Sequence, residues 1–424
     1  MLDIKFIERH RSEIEKAIEA KRIADLKVDD VLAVSERRRS WLTRLNDLNT
    51  ERNARSKDVP KIADLGEKQK VLSELKALQL EIKTVEEEVA KVEAEFRAMM
   101  LRVPNVIEDG VPIGKDETEN VVVREVGAVK TFSFKPKSHV ELGLALDILN
   151  IENAVKMAGT RSYLLKNEGA LLELAVLRYA VDFITRRGFK LLLPPTLVKY
   201  EAMEGTAYFP GGEEQAYAIP KDNLFLIGTS EVPLMAYYMG ATLKESDLPV
   251  LFAGLSVCYR REAGTYGKDT AGLYRVHQFQ KVEQVVICRA DAEESERMMQ
   301  TILKNAEEFT ASLELPYRVV AVCSGEMGQG QRKKYDIEVW MPSRGSYGET
   351  HSCSKFHDFQ TRRLKIRYKD QQGKVDFAHS LNNTLIASPR ILIPLLEYHQ
   401  NEDGSVRIPS VLQPYMGGRK QIGP

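Results

Sequence analysis

Residues 258–284 read CYRREAGTYGKDTAGLYRVHQFQKVEQ. An apolar lead-in of Val250, Leu251 and Phe252 runs toward Arg260-Arg261-Glu262. A loop with Gly264, Gly267 and Gly272 follows, and the chain returns through Arg275-Val276-His277-Gln278-Phe279 to Glu283. The pattern predicts two antiparallel strands joined by a long mobile loop, with charges gathered on one face of the pair. Side chains alternate along a strand, which would set Arg260 and Glu262 on the same side. An arginine able to grip phosphate beside a carboxylate able to accept from an amino group makes a candidate nucleotide site. An ordinary charged surface hairpin has the same composition, and charge alone does not choose between them.

Composition narrows the classes. The chain of 424 residues is long enough for two or three domains and a large core. Lys+Arg and Asp+Glu both count 61, so any patch that binds a polyanion must be local. Cys258, Cys288, Cys323 and Cys353 are widely spaced with no CxxC pair. That spacing argues against a disulfide framework or a compact cysteine zinc site and fits a reducing compartment. The amphipathic start, MLDIKFIERHRSEIEK, has no apolar stretch of signal-peptide length. No run approaches the length of a membrane span, so the expectation is a cytoplasmic protein with no membrane partner.

The first hundred residues differ in kind from the rest. Val71, Leu75, Leu78, Ile82, Val85, Val89, Val92, Phe96 and Met99 alternate spacings of four and three, the a/d seam of a coiled coil. Before them, about Val28 to Val59, Leu32, Leu42, Leu45 and Leu48 form a looser stripe near Trp41. Pro60 and Gly66 can break the helices between. Two helices with a tight reversal make an antiparallel hairpin reaching roughly 45–50 Å. From Arg37 to Lys61 eight basic residues face three acidic ones. A basic arm suits phosphate contact, with Arg38, Arg44, Arg52 and Arg55 the candidates, although coiled-coil flanks are ordinarily rich in charge.

The 258–284 string resembles motif 2 of class II aminoacyl-tRNA synthetases, in the form of the seryl-tRNA synthetases. The N-terminal hairpin resembles that family's tRNA-binding arm, which reads RNA shape more than base sequence. The resemblance implies an α+β protein: an antiparallel sheet flanked by helices, carrying an N-terminal antiparallel coiled-coil arm. It implies ATP and Mg2+ as cofactors, L-serine and serine tRNA as partners, and a homodimer. The implied domains are an arm at 1–103, a linker and start of the core at 104–138 (with Pro104, Gly110, Pro112 and Gly114), and a catalytic domain at 139–424.

Residue by residue, Arg260 matches the arginine on the α-phosphate and the amino-acid carboxylate, and Glu262 matches the ATP-binding glutamate. Arg275 and Val276 fall beside the nucleotide, Phe279 matches the aromatic that stacks on adenine, and Lys268 lies in the loop that would meet the tRNA acceptor end. Upstream, Thr229 and Glu231 match a T-x-E loop facing the serine; alone they read equally as a helix cap with an acidic first turn. Glu283 matches a second serine-binding carboxylate. Glu349 and Ser352 would hold ATP and a bridging magnesium, for which oxygen ligands are suited. Asn382 and Thr384 match positions lining the serine pocket, and Arg390, opening an apolar helix, the γ-phosphate arginine. Many bacterial relatives carry glycine at the positions of Leu385 and Pro389, a departure that bears on the backbone there.

Competing readings are few. His351, Cys353 and His357 could assemble a zinc site but lack a suitably spaced fourth ligand. His277 and His357 read as packed or hydrogen-bonded histidines. Leu171 to Arg187, then Leu191-Leu192-Leu193 and Pro194-Pro195, resemble motif 1, which builds the class II dimer interface; the local alternative is any helix followed by a buried strand. Further strands are expected at Tyr317–Val322, Asp336–Trp340 and Leu364–Tyr368. The alternative function is a paralogue that charges another acceptor, or a non-catalytic RNA-binding protein.

Overall fold

The computed structural model describes residues 1–264 and 272–424. It separates into two compact units, Met1–Pro104 and Asn105–Pro424.

In the first unit, α1 (Ile4–Arg9) and α2 (Arg11–Ala20) precede two long helices, α3 (Val28–Asp58) and α4 (Leu65–Arg102). Ile7, Ile14 and Ala17 of the short helices are buried, as are Val28, Val31 and Val34 at the base of α3. Along the hairpin Leu45 and Leu48 of α3 meet Leu78, Ile82, Val85 and Val89 of α4, which is the predicted seam. Asp64, not Gly66, starts α4: its carboxylate accepts from the Glu67 amide at 2.6 Å, and Gly66 lies inside the first turn. A short 3-10 turn, Val59–Lys61, makes the reversal around Pro60.

In the second unit the described residues build an eight-stranded sheet. Its strands in chain order are β1 (Val121–Val126), β2 (Lys190–Leu192), β3 (Val250–Tyr259), β4 (Gln278–Cys288), β5 (Tyr317–Ala321), β6 (Lys333–Met341), β7 (Ser346–His357) and β8 (His379–Ser388). Their spatial order is β1-β5-β6-β7-β8-β4-β3-β2. All neighbours pair antiparallel except β2 with β3. Around the sheet lie α5 (His139–Ala145), α6 (Ile151–Ala158), α7 (Asn167–Thr185), α8 (Tyr200–Gly205), α9 (Glu231–Ala236), α10 (Ala292–Ser312), α11 (Phe359–Leu364) and α12 (Leu392–Tyr398). α10 buries Met299, Ile302, Leu303, Ala306 and Phe309, the three-and-four spacing of a helix laid on a sheet. Among the described residues no helix is long and apolar enough to cross a membrane.

Three local expectations change. Strand pairing in the 258–284 hairpin ends at Tyr259 opposite Gln278, so Arg260–Glu262 lie beyond the ladder. Glu262 takes φ +51, so alternation does not set it beside Arg260. The segment Leu364–Tyr368 is not one strand: α11 ends at Leu364, and only Arg367–Lys369 is extended, in a separate small sheet. Leu364 at the end of the helix and Ile366 just after it are both buried, which explains the apolar signal. β2 is an edge strand rather than a buried one, and Leu191 and Leu193 are exposed.

Candidate active site

The site is built on β4 and β8, the middle of the sheet, with α9 packed against β3. Gly254 makes that packing possible: a Cβ there would stand 2.7 Å from Ser230 Oγ and 2.7 Å from Leu234 Cδ1. The T-x-E segment therefore sits directly on the sheet. Ser230, not Thr229, immediately precedes α9, and its hydroxyl donates to Gly254 O rather than capping the helix. Thr229 Oγ1 instead accepts from the Glu231 amide at 3.2 Å and from Lys281 Nζ at 2.7 Å.

Phe279, Lys281 and Glu283 alternate along β4 and share one face. Lys281 Nζ lies 2.5 Å from Glu283 Oε2, with both side chains under a tenth exposed. Thr384 stands opposite Glu283 in the β8–β4 register and donates its hydroxyl to Glu283 Oε2 at 3.2 Å. Asn382, buried and two residues earlier on β8, occupies the same face. Glu231 faces this group from α9. Its Oε1 accepts from Gln360 Nε2 at 2.7 Å and its Oε2 from Tyr208 OH at 3.3 Å. Gln360 is oriented in turn by Ser380, which donates to its carbonyl at 2.8 Å. Burial pushes the Glu231 carboxyl up to about 7, against the opposing hydrogen bond from Gln360. Two buried carboxylates, one buried ammonium and two threonine hydroxyls thus gather into one polar cluster.

Arginines gather at the other end. Arg260 joins the two ends: its Nε donates to Gly228 O at 3.3 Å, next to Thr229, and its guanidinium lies 5.2 Å from the Phe279 ring centre. Arg275 pairs with Glu262 at 3.4 Å. Val276, between Arg275 and His277 in sequence, is buried. Arg390 lies in the turn before α12 rather than in its first turn, since the helix begins at Leu392. What holds it is Glu349 and Tyr274. Its Nη1 donates to Glu349 O at 3.1 Å and to Glu349 Oε1 at 3.2 Å, and the group stacks 4.6 Å from the Tyr274 ring. Glu349 is pushed up by burial, but Arg390 first, with Lys334, Arg260 and Arg275, overcomes this and holds its carboxyl low. Ser352 stands on β7 opposite Asp336 of β6. Burial raises Asp336 to about 6; its Oδ2 meets Lys334 Nζ at 3.0 Å, while Oδ1 is buried with no donor.

The three candidate zinc ligands do not converge. His351 Nδ1 meets Thr350 Oγ1, Cys353 Sγ meets Met299 O, and His357 stacks on His379 with ring centres 4.3 Å apart. Among the described residues no three His, Cys, Asp or Glu side chains are grouped to hold a metal. Lys268 lies outside the described residues. The arm arginines belong to the other unit: Arg38 pairs with Glu93, Arg44 with Glu81 and Arg55 with Glu74, each across the hairpin, and Arg52 donates to Asn53.

Residues 1–107 match the seryl-tRNA synthetase N-terminal domain, and residues 217–399 match the tRNA synthetase class II core domain (G, H, P, S and T). The serine–tRNA ligase of Deinococcus radiodurans is 46% identical over 423 residues, covering all of this chain and 99% of the relative. The chain belongs to the seryl-tRNA synthetase family. Among solved members of the family, the seryl-tRNA synthetase from Pyrococcus horikoshii complexed with ATP superposes with a TM-score of 0.91 at 37% identity, and both chains are covered completely. The fold alone extends further, to a Giardia lamblia prolyl-tRNA synthetase, with a TM-score of 0.58 at 16% identity over 67% of this chain.

Several residues of this seryl-tRNA synthetase-family cavity were not singled out from sequence. Lys281 carried a usable signal: it lies midway between Phe279 and Glu283 on a strand, so period-two alternation puts it on the same face. Gln360 and Tyr208 carried none, because they arrive from α11 and from the segment after α8 by tertiary packing.

Proposed function

We propose that this protein activates L-serine with ATP and transfers the seryl group to serine tRNA. The observation that carries the reading is the joining of a buried polar cluster to an arginine cluster by Arg260. In the first step the serine carboxylate attacks the α-phosphorus, the bond to the bridging oxygen breaks, and pyrophosphate leaves. In the second, a terminal ribose hydroxyl of the tRNA attacks the seryl carbonyl carbon and AMP leaves. Neither step needs a protein nucleophile; positioning and charge neutralisation suffice.

Glu231 takes the serine ammonium, while Glu283, Thr384, Asn382 and Thr229 receive its hydroxyl and small side chain. Arg260 bridges the serine carboxylate and the α-phosphate. Glu262 and the backbone at Val276 hold the adenine edge, Phe279 stacks on the base, and Arg275 and Arg390 neutralise the outer phosphates. Glu349, Ser352 and the buried Asp336 offer oxygen atoms that fit a hard cation completed by phosphate oxygens. Magnesium bound there would screen phosphate charge. Arg38, Arg44, Arg52, Arg55 and Lys268 serve the tRNA. Leu171 and Leu174 on α7, with Leu191 and Leu193 on and after β2, are exposed and supply an apolar face for a second copy.

The deciding experiment is amino-acid-dependent ATP–pyrophosphate exchange with every proteinogenic amino acid and no tRNA. Exchange with serine alone is the expected outcome. Exchange with a different amino acid would redirect the pocket assignment, and none at all would leave the arm as the functional part.

A further inference from the structure

Glu173 sits on α7 between the exposed Leu171 and Leu174, yet its half-buried side chain turns inward. Its Oε1 accepts a hydrogen bond from Ser388 Oγ at 2.7 Å. Ser388 is fully buried and ends β8, paired with Gln280 of β4. One residue separates it from Arg390, and that residue is Pro389, whose ring fixes φ and which has no amide to bond elsewhere. The chain between the anchored Ser388 and the guanidinium therefore has little freedom. Burial raises the Glu173 carboxyl, and the Ser388 hydroxyl opposes this by donating to it.

A half-buried carboxylate that accepts from a fully buried hydroxyl holds that hydroxyl in one place. Two residues beyond Ser388 the turn carries Arg390, which contacts Glu349 and Tyr274 among the clustered arginines. We propose that Glu173 is a positioning residue for ATP: through Ser388 and the rigid Pro389 it fixes where Arg390 meets the outer phosphates. This rests on the assignment of Arg390 to ATP in the preceding section. It also places an ATP-positioning contact on the same helix as the apolar face.

The test is ATP–pyrophosphate exchange with KM measured separately for ATP and serine in Glu173→Ala, Glu173→Gln, Ser388→Ala, the Glu173→Ala/Ser388→Ala pair and Arg390→Ala. Circular dichroism melts check that each variant is folded. Glu173→Ala is expected to raise KM for ATP about tenfold, with KM for serine within about twofold, the loss of one buried hydrogen bond read through a neighbouring group. Glu173→Gln, whose amide oxygen still accepts the hydroxyl, should restore most of the ATP affinity. Ser388→Ala should match Glu173→Ala, and the pair should be no worse than either alone. Additive effects, equal rises in both KM values, no change in KM for ATP, or no rescue by glutamine would each overturn the proposal. If instead Arg390→Ala leaves KM for ATP unchanged, the assignment of Arg390 is what fails, whatever the Glu173 variants do.

Discussion

The arm and the cavity use the same side chains in opposite ways. Arg44 with Glu81 in the arm and Lys281 with Glu283 in the cavity are both cation–carboxylate pairs. The arm pair is about half exposed on each side chain, whereas the cavity pair is under a tenth exposed. Exposed pairs hold each other weakly and can exchange partners, which suits the tRNA contact proposed for the arm. Buried pairs are costly to break and keep one geometry, which suits the serine recognition proposed for this cluster. Burial, more than residue type, separates recognition of shape from recognition of chemistry.

The sharpest way to break that comparison is at its joint. Arg260→Ala should reduce serine-dependent pyrophosphate exchange by about 10³-fold or more, because the group acts on charge that develops in the transition state. Binding of serine tRNA, measured by filter retention, should change less than about threefold, since that contact is proposed for the arm. Exchange that persisted would remove Arg260 from the chemistry. Loss of both activities together would show that the two regions are not separable.

Lys281→Met tests the buried pair. Removing one partner strands the Glu283 carboxylate, and denaturant unfolding should show a loss of about 3–5 kcal/mol. KM for serine should rise with it, because Thr229 loses its donor as well. A loss below about 1 kcal/mol would put the cavity pair in the same class as the arm pairs.

The pH dependence of the cavity comes from Glu231. Its carboxyl is raised to about 7 by burial, so in the free enzyme the carboxylate that serine needs is lost as pH falls below that value. With that midpoint, kcat/KM for serine should fall about tenfold from its plateau by pH 6. Glu231→Gln should lose that limb along with about a hundredfold in kcat/KM. Stability should move the other way. A carboxyl whose folded pKa is raised contributes most below its unfolded value and loses that contribution as pH rises through about 7. The glutamine variant should therefore melt higher than the parent at pH 8, with the gain vanishing toward pH 5. A profile flat from pH 6 to 8 would mean that the carboxylate is better solvated than its surroundings indicate.

The legibility of these regions differed for physical reasons. The arm was readable because a heptad seam has one period and one partner; Leu78, Ile82 and Val85 fell where spacing put them. The sheet was readable at β3 and β4, where apolar runs cross the core. The segment Leu364–Tyr368 runs from a helix end into a short strand, and buried Leu364 and Ile366 give both the same brief apolar signal. In the site, motif resemblance named candidate residues that the fold places along the cavity's two ends, but Gln360 and Tyr208 orient Glu231 from segments far away in sequence. The left-handed Glu262 defeats any argument from strand alternation.

The smallest expected effect concerns the arm. Arg44→Ala should change unfolding free energy by less than about 1 kcal/mol, because its pairing with Glu81 is solvated on both sides. If Arg44 leaves Glu81 for a phosphate, KM for serine tRNA in aminoacylation should rise a few-fold and the slope of log affinity against log salt should flatten by about 0.7–0.9. Pyrophosphate exchange without tRNA should be untouched. A large stability loss with an unchanged salt slope would make the arm's arginines hairpin braces, and the contrast with the cavity would then lie in exposure alone and not in what the charges are for.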